Sequence, residues 1–350
     1  MTAEIKGIID KLISTRSLSL EEYESLIAGR DNEAYAVLQK EALRLRHGIY
    51  GNSVYIRGLI EISNYCKNDC YYCGIRKSNK HCSRYRLTRD EILSCCENGY
   101  RLGFRTFVMQ GGEDAYFSDD FMCALISDIK KMYPDCAVTL SLGEKSFDSY
   151  KRLFDAGADR YLLRHETADS EHYSRLHPNR LTLESRIRCL ESLKKIGFQV
   201  GCGMMVGSPF QTPGTLAVDL KFIEEFSPDM CGIGPFIPHK DTPFANEEKG
   251  SAELTCFLLA VIRIIKPNIL LPSTTALGTA ASDGREKGIL ASANVVMPNL
   301  SPLTVRNKYE LYNNKLHTGA ESAEKLEALK KKMKSIGYEI VCDRGDIKRN

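Results

Sequence analysis

Cys66, Cys70 and Cys73 stand in the run Cys66-Lys67-Asn68-Asp69-Cys70-Tyr71-Tyr72-Cys73, which brings three thiols into one short loop. A cubane iron–sulfur cluster closed by protein takes a cysteine on every iron, so three cysteines leave one iron open to a small molecule. Three protein ligands leave a catalytic zinc open in the same way. The spacing therefore also suits a zinc site completed by His81 or Cys82, or three loop cysteines that hold no metal. The chain carries 13 cysteines in 350 residues, an odd count in a protein too large to need disulfide staples. Cys95, Cys96, Cys123, Cys189 and Cys256 fall in helix-like segments, where cysteine acts as a small buried hydrophobe.

Other polar groups gather where predicted strands end. Gly111-Gly112-Glu113 follows the second strand, and Arg164-His165-Glu166-Thr167 follows the fourth, with Arg186 at the start of the next helix. Gly203-Met204-Met205-Val206-Gly207-Ser208-Pro209 closes the fifth, and Gly232-Ile233-Gly234-Pro235-Phe236-Ile237-Pro238-His239 closes the sixth. Glycines at such points let backbone approach a ligand closely. Each motif alone reads as a turn or a surface ion pair. Their shared location argues for a common site.

The elements that must position these groups can be read from the hydrophobic pattern. Apolar periodicity through the first fifty residues predicts helices forming an N-terminal cap, residues 1–50. Short apolar runs then alternate with amphipathic stretches, which is the pattern of parallel βα units. Strands are predicted at residues 54–62, 106–109, 137–141, 160–164, 199–206, 230–233, 269–271 and 294–297. Thr88-Arg89-Asp90-Glu91 is a capping box for a helix toward Leu102, and Ser118 opens one toward Met132. Thr182 precedes a helix over residues 183–196, Pro213 suits the first turn of one ending at Phe226, and Gly157 and Gly197 are natural stops. This order predicts an α/β fold, a (β/α)8 TIM-type barrel over residues 51–300 with its chemistry at the C-terminal strand ends. An open doubly wound sheet is the alternative, but its site would concentrate at one switch point instead of drawing on strand ends all round. Residues 301–350 form a short C-terminal extension with a helix-like stretch at 323–336, and the mildly basic residues 344–350 are expected to be solvated.

Composition narrows the partners. There are 48 Lys+Arg against 45 Asp+Glu, a net charge of only +3, with no long single-sign run to suggest nucleic-acid or membrane binding. No apolar stretch reaches eighteen residues and the first residues lack a signal-peptide core, so a soluble, cytoplasmic protein with reduced thiols is expected.

Several strings are long enough to be specific. Tyr65-Cys66 with Cys73-Gly74-Ile75-Arg76, Leu140-Ser141-Leu142-Gly143-Glu144, Tyr161-Leu162-Leu163-Arg164-His165-Glu166-Thr167-Ala168, residues 232–239 and Ala293-Asn294-Val295-Val296-Met297-Pro298-Asn299 closely resemble the HydE family. These are the radical S-adenosylmethionine (SAM) maturases of the iron-only (FeFe) hydrogenase H-cluster, and the similarity runs over residues 50–312. The cysteine spacing itself resembles the cluster signature of the radical SAM superfamily, whose open iron chelates the methionine amino and carboxylate groups of SAM.

The resemblance implies a TIM-type barrel with one 4Fe-4S cluster on Cys66, Cys70 and Cys73. It implies that Gly111, Gly112 and Glu113 meet the cofactor's ammonium and that Tyr72 lies against its adenine. Glu113, Glu166 and Arg186 would hold the ribose and methionine parts, with Met205 packed nearby. Arg164 and Tyr309 are the expected catalytic residues. The family's substrate is a small organometallic precursor carrying iron, carbon monoxide, cyanide and cysteine, supplied by HydG, and the product passes to the scaffold HydF. Such a polar anion calls for cationic and hydroxyl groups inside the barrel, and Thr139, Arg164, Thr274 and Thr275 are expected to point inward from strand ends. For Thr274 and Thr275 a plain β-branched strand pair is equally open. A ferredoxin or flavodoxin-type donor would supply the electron.

One departure is informative. Some members carry a second cluster on a C-x7-C-x2-C run after the segment matching Tyr309-Glu310-Leu311-Tyr312, whereas this chain reads Asn314-Lys315-Leu316-His317-Thr318-Gly319-Ala320 and has no cysteine before Cys342. A single cluster is expected. Methylornithine synthase and biotin synthase share the superfamily barrel and are rival readings. The former usually has aromatic residues after the third cysteine, where Gly74-Ile75-Arg76 stands here, and the latter needs auxiliary-cluster ligands that Cys136 and Cys202 do not complete. A non-catalytic iron–sulfur carrier or zinc scaffold is the reading from another class.

Overall fold

Eleven aliphatic-rich residues open the barrel, split at Arg57 into β1 (Ser53–Ile56) and β2 (Gly58–Ser63). The computed structural model describes residues 1–316 and 322–349. The remaining strands are β3 (Thr106–Gly111), β4 (Ala137–Ser141), β5 (Arg160–Leu162), β6 (Gln199–Cys202), β7 (Met205–Val206), β8 (Met230–Cys231), β9 (Gly234–Pro235), β10 (Val295–Val296) and β11 (Glu339–Val341). A parallel sheet runs in the order β2-β3-β4-β5-β6-β8. Parallel bridges Met230 to Leu270, Pro272 to Val295 and Leu59 to Asn299 carry the pairing onward and back to β2, closing the ring. Residues 269–271 thus take the seventh position through single bridges in place of a ladder. Pro267 and Pro272 flank them and offer no backbone N–H, which keeps the pairing short.

Side chains alternate across the wall. Along β4, Val138 and Leu140 join the main apolar core under the helices, so Thr139 faces the lumen. By the same parity Glu61, Gln110 and Arg160 face inward, and the lumen is markedly polar.

The helices follow their sequence signals. Arg89–Arg101 starts with the Thr88/Glu91 capping box, Asp119–Met132 with Ser118, Leu183–Ile196 with Thr182, and Pro213–Phe226 with Thr212 and Pro213. Ala3–Thr15, Leu20–Ala28 and Asn32–Tyr50 form the N-terminal helices, and the last two pack on Pro213–Phe226 and Ala252–Ile265 respectively from outside the barrel.

The C-terminal end differs from the expected solvated tail. β11 pairs in parallel with β1, and the chain then enters the floor of the barrel. Arg160 is fully buried and donates to the Arg344 carbonyl at 2.8 Å, to Thr106 Oγ1 at 3.0 Å and to the Asp346 carboxylate. Gly345 lies against Tyr55, where a Cβ would sit 2.8 Å from the ring, and Ile347 is buried. A buried guanidinium needs a counter-charge, and the tail supplies it.

Candidate cluster and cofactor site

The loop between β2 and helix Arg89–Arg101 carries Cys66, Cys70 and Cys73, all partly exposed and free of disulfides. Backbone bonds fix it on several sides: Lys67 N–H to the Glu113 carbonyl at 2.9 Å, Lys77 N–H to the Asn68 carbonyl at 2.8 Å, and Gly74 N–H to the Leu311 carbonyl at 2.8 Å. Arg84 donates to the carbonyls of Ile75 and Arg76 from within. Burial pushes all three thiols up, Cys70 to about 12, and neighbouring Cys70 and Cys66 add to the rise at Cys73. Thiols in this setting ionise only against a metal's positive charge. Among the described residues no three His, Cys, Asp or Glu side chains close on a single metal ion.

The glycine pair at the end of β3 abuts this loop. A Cβ on Gly112 would stand 2.1 Å from the Tyr65 carbonyl and 2.7 Å from Cys66 Cβ, so only glycine fits. Gly111 pairs with Ser63 at the edge of β2. Glu113 is held from two sides, by Lys67 Nζ at 2.9 Å and by the Glu144 N–H, which donates to Oε1 at 3.1 Å. Glu144 continues the chain, accepting from Arg186 Nε at 2.7 Å and Ser185 Oγ at 2.8 Å. Arg186 also donates to the Arg164 carbonyl at 2.6 Å. The ends of β3, β4 and β5 are thereby joined by one polar chain from Lys67 to Arg164.

Glu166 stands at φ +66, a left-handed conformation uncommon outside glycine and often found at functional sites. Its N–H donates to the Gly203 carbonyl at 3.0 Å, which ties it to the end of β6. Arg164 Nη2 is 3.2 Å from Glu166 Oε2 but not aligned as a hydrogen bond. Arg164 Nε and Nη2, Glu166 Oε2 and Thr139 Oγ1 are all buried without a hydrogen-bond partner among the described residues. Orphaned polar atoms inside β4 and just past the end of β5 mark a place able to receive a polar group.

Tyr72 and Met205 come together through a small apolar cluster of Leu176, Met205, Phe236 and Phe244, against which Tyr71 and Tyr72 pack. The Tyr72 hydroxyl is 3.1 Å from His177 Nε2, and burial pushes His177 down to about 3, leaving it neutral. Tyr309 is buried, and its hydroxyl accepts from Gln110 Nε2 at 3.3 Å. Thr274 is not in a strand: it caps helix Thr275–Ala280, its Oγ1 accepting from Leu277 N–H at 3.4 Å, and Thr275 begins that helix. A Cβ on Gly234 would meet Thr274 Oγ1 at 2.6 Å, so this hydroxyl crowds the end of β9.

Glu144 and His177 have no role in the reading of the sequence. Glu144 was findable, since it lies just past a strand end behind Gly143. Nothing local distinguishes His177. Of the cysteine-free run 314–320 expected to lack a second cluster, residues 317–320 lie outside the described residues.

Comparison with known proteins gives three findings. The Radical SAM superfamily model matches residues 60–223. The chain is 41% identical over 344 residues, 98% of both sequences, to the FeFe hydrogenase maturase subunit HydE of Thermotoga maritima, and 26% identical to 3-methylornithine synthase of Methanosarcina acetivorans over 97% of this chain and 95% of that one. Among solved structures, methylornithine synthase superposes with a TM-score of 0.83 at 23% identity over 95% and 97% of the two chains. The maturase HydG of Carboxydothermus hydrogenoformans does so at 0.78 and 21% identity, over 96% of this chain and 78% of that one. Both show the fold alone.

Proposed function

This chain belongs to the HydE family of FeFe hydrogenase maturases, which are radical SAM enzymes, and from that premise we propose that it acts on an iron–carbonyl–cyanide–cysteine precursor during assembly of the di-iron subcluster. Cys66, Cys70 and Cys73 hold one 4Fe-4S cluster in this reading, and SAM occupies the space between that loop and the ends of β3 to β6. When bound, the reduced cluster supplies the electron that cleaves SAM to methionine and a 5′-deoxyadenosyl radical. The residues fit both groups: Gly112 leaves room where the cysteine loop crosses, and Glu166 and Arg164, an ion pair, present buried polar atoms without hydrogen-bond partners.

Gly111, Gly112 and Glu113 bind the methionine ammonium, and Glu166 and Arg186 orient the ribose and methionine carboxylate. Tyr72 and Met205 exclude water around the adenine. The Arg164 guanidinium and the Thr139, Thr274 and Thr275 hydroxyls face an anionic substrate, and Tyr309 closes the lumen on the cluster side. Residues 51–300 serve as the catalytic barrel, residues 1–50 as a helical cap and 301–350 as an extension. HydG would deliver the precursor, HydF would take the product, and an electron carrier of the ferredoxin or flavodoxin class would reduce the cluster. No helix among the described residues is long and apolar enough to cross a membrane.

The observation that carries this reading is the three-cysteine loop seated on Gly112 and Glu113. Its test is anaerobic reconstitution with iron and sulfide, reduction by dithionite with SAM, and chromatography for 5′-deoxyadenosine beside a Cys66→Ala control. Deoxyadenosine formed only with the intact cysteines supports the reading. Turnover of lysine would move the chain to the methylornithine synthase activity, and stoichiometric zinc without iron would make it a scaffold.

A further inference from the structure

Three hydrogen bonds tie the cysteine loop to the end of helix Ser170–Leu176 and the residues that follow it. Tyr71 N–H donates to the Leu176 carbonyl at 3.0 Å, the Tyr72 hydroxyl meets His177 Nε2 at 3.1 Å, and Arg180 donates to the Lys67 carbonyl. This stretch lies between Glu166, just past β5, and Arg186, on helix Leu183–Ile196, the two groups that the functional reading sets against the cofactor.

We propose that His177 is the positioning residue of this clamp, fixing Tyr72 and with it the pitch of the loop between Cys70 and Cys73. This rests on the radical SAM reading above. His177 Nδ1 lies 3.0 Å from the Tyr173 carbonyl, which can only accept, so Nδ1 carries the proton and Nε2 is bare. The Tyr72 O–H therefore donates to Nε2, and its direction is set. The imidazole cannot rotate out of this role: it is buried, stacked on the Tyr173 ring at 4.0 Å and met edge-on by the Tyr72 ring at 5.4 Å. With its hydroxyl held by His177 and also within reach of the Cys70 thiol, Tyr72 keeps its ring in the apolar cluster around Met205. A cofactor whose adenine meets that ring then binds a preformed surface and loses less freedom on binding.

The test is a double-mutant cycle on the reconstituted enzyme: wild type, Tyr72→Phe, His177→Phe and the pair, with iron content and thermal unfolding checked for each. The readout is the dissociation constant for SAM, taken from the change it causes in the electron paramagnetic resonance spectrum of the dithionite-reduced cluster. Each single variant is expected to bind SAM roughly tenfold more weakly, and the pair no worse than either, because both singles break the same bond. His177→Gln, whose Oε1 can accept from Tyr72, should stay within about threefold of wild type. Unchanged affinity in the singles, additive losses in the pair, or a glutamine variant as weak as the phenylalanine one would each overturn the proposal. If His177→Phe does not fold, Tyr72→Phe decides alone, and wild-type affinity there ends it. A wild-type protein that binds no SAM would instead end the functional reading.

Discussion

Glu61 and Lys315 meet inside the barrel, with Oε1 2.7 Å from Nζ, the carboxylate fully buried and the ammonium nearly so. Asn299 Nδ2 donates to the second oxygen at 2.9 Å, and the Ser301 hydroxyl accepts from the Glu61 N–H at 2.8 Å. Lys315 Nζ also lies 5.4 Å from the centre of the Tyr309 ring. The first barrel strand thus places a charge in the lumen that a residue 254 positions later must neutralise.

Lys315→Met should destabilise the protein by about 3–5 kcal/mol, because it strands a desolvated anion where two partners shared it. Adding Glu61→Gln should recover a large part of that loss. Urea unfolding of the two singles and the pair measures the coupling, and additive losses would show that the ion pair is incidental.

The floor of the barrel makes stability depend on pH through Asp346. Burial pushes its carboxyl up, but Arg160, Arg344 and Gln199 together hold it well below the usual carboxylate range. A carboxyl lowered in the folded state contributes stability that is fully present above its unfolded pKa of about 3.9 and is lost as pH falls below that. Asp346→Asn should therefore melt a few degrees below wild type at pH 7, with the gap narrowing below about pH 4. A gap that is the same at pH 3 and pH 7 would remove Asp346 from the account. Other carboxyls, such as Glu324 held near 2 by Arg306, titrate in both proteins and cancel.

Much of this architecture is legible in the sequence because its signals are local. Thr88 with Glu91, Ser118, Thr182 and Pro213 mark helix starts within a residue, since a cap is chosen by the backbone it satisfies. Helix Ala252–Ile265 has a cap of the same kind in Ser251, but twelve of its residues are buried, so no polar face breaks its apolar run into a helical period. The breaks in the first and fifth strand positions, at Arg57 and at Gly203-Met204, come from contacts with the floor and with Gly232 that no short window contains. The same holds for the site. Cysteine spacing and the glycine pair announce themselves, whereas Asp346 beside Arg160 and His177 beside Tyr72 exist only once the barrel closes.

Gly143 tests how tightly Glu113 is held. It sits at φ +77, and a Cβ there would lie 2.1 Å from Glu113 Cγ. Gly143→Ala should cost roughly 1–2 kcal/mol from the left-handed backbone alone and also displace Glu113, weakening SAM binding about tenfold or more. Gly337, at φ +87 with nothing within 4 Å of a Cβ, is the matched control. Its alanine variant should carry the backbone cost and leave SAM binding as it was. Equal SAM affinity in both variants would mean that Glu113 is not a cofactor contact.

Removing the cluster should leave the barrel standing. The three cysteines lie on a loop whose backbone is already fixed by Glu113, Asn68, Leu311 and Arg84, and the apolar core beneath it draws on helices and strands from the whole chain. The fold should therefore stand without metal, unlike a small zinc domain that unfolds when stripped. Reconstituted protein should carry about four irons per chain, in line with one cubane. Treatment with a chelator under oxidising conditions should bleach the visible absorption, abolish SAM cleavage and shift the melting temperature by only a few degrees, with the far-ultraviolet circular dichroism unchanged. Cys95→Ala and Cys96→Ala, both in the buried face of helix Arg89–Arg101, should retain iron, whereas Cys66→Ala, Cys70→Ala or Cys73→Ala should lose it. Collapse of the fold on iron loss would show that the cluster is structural, and about eight irons per chain would reveal a second cluster on ligands other than the missing cysteines.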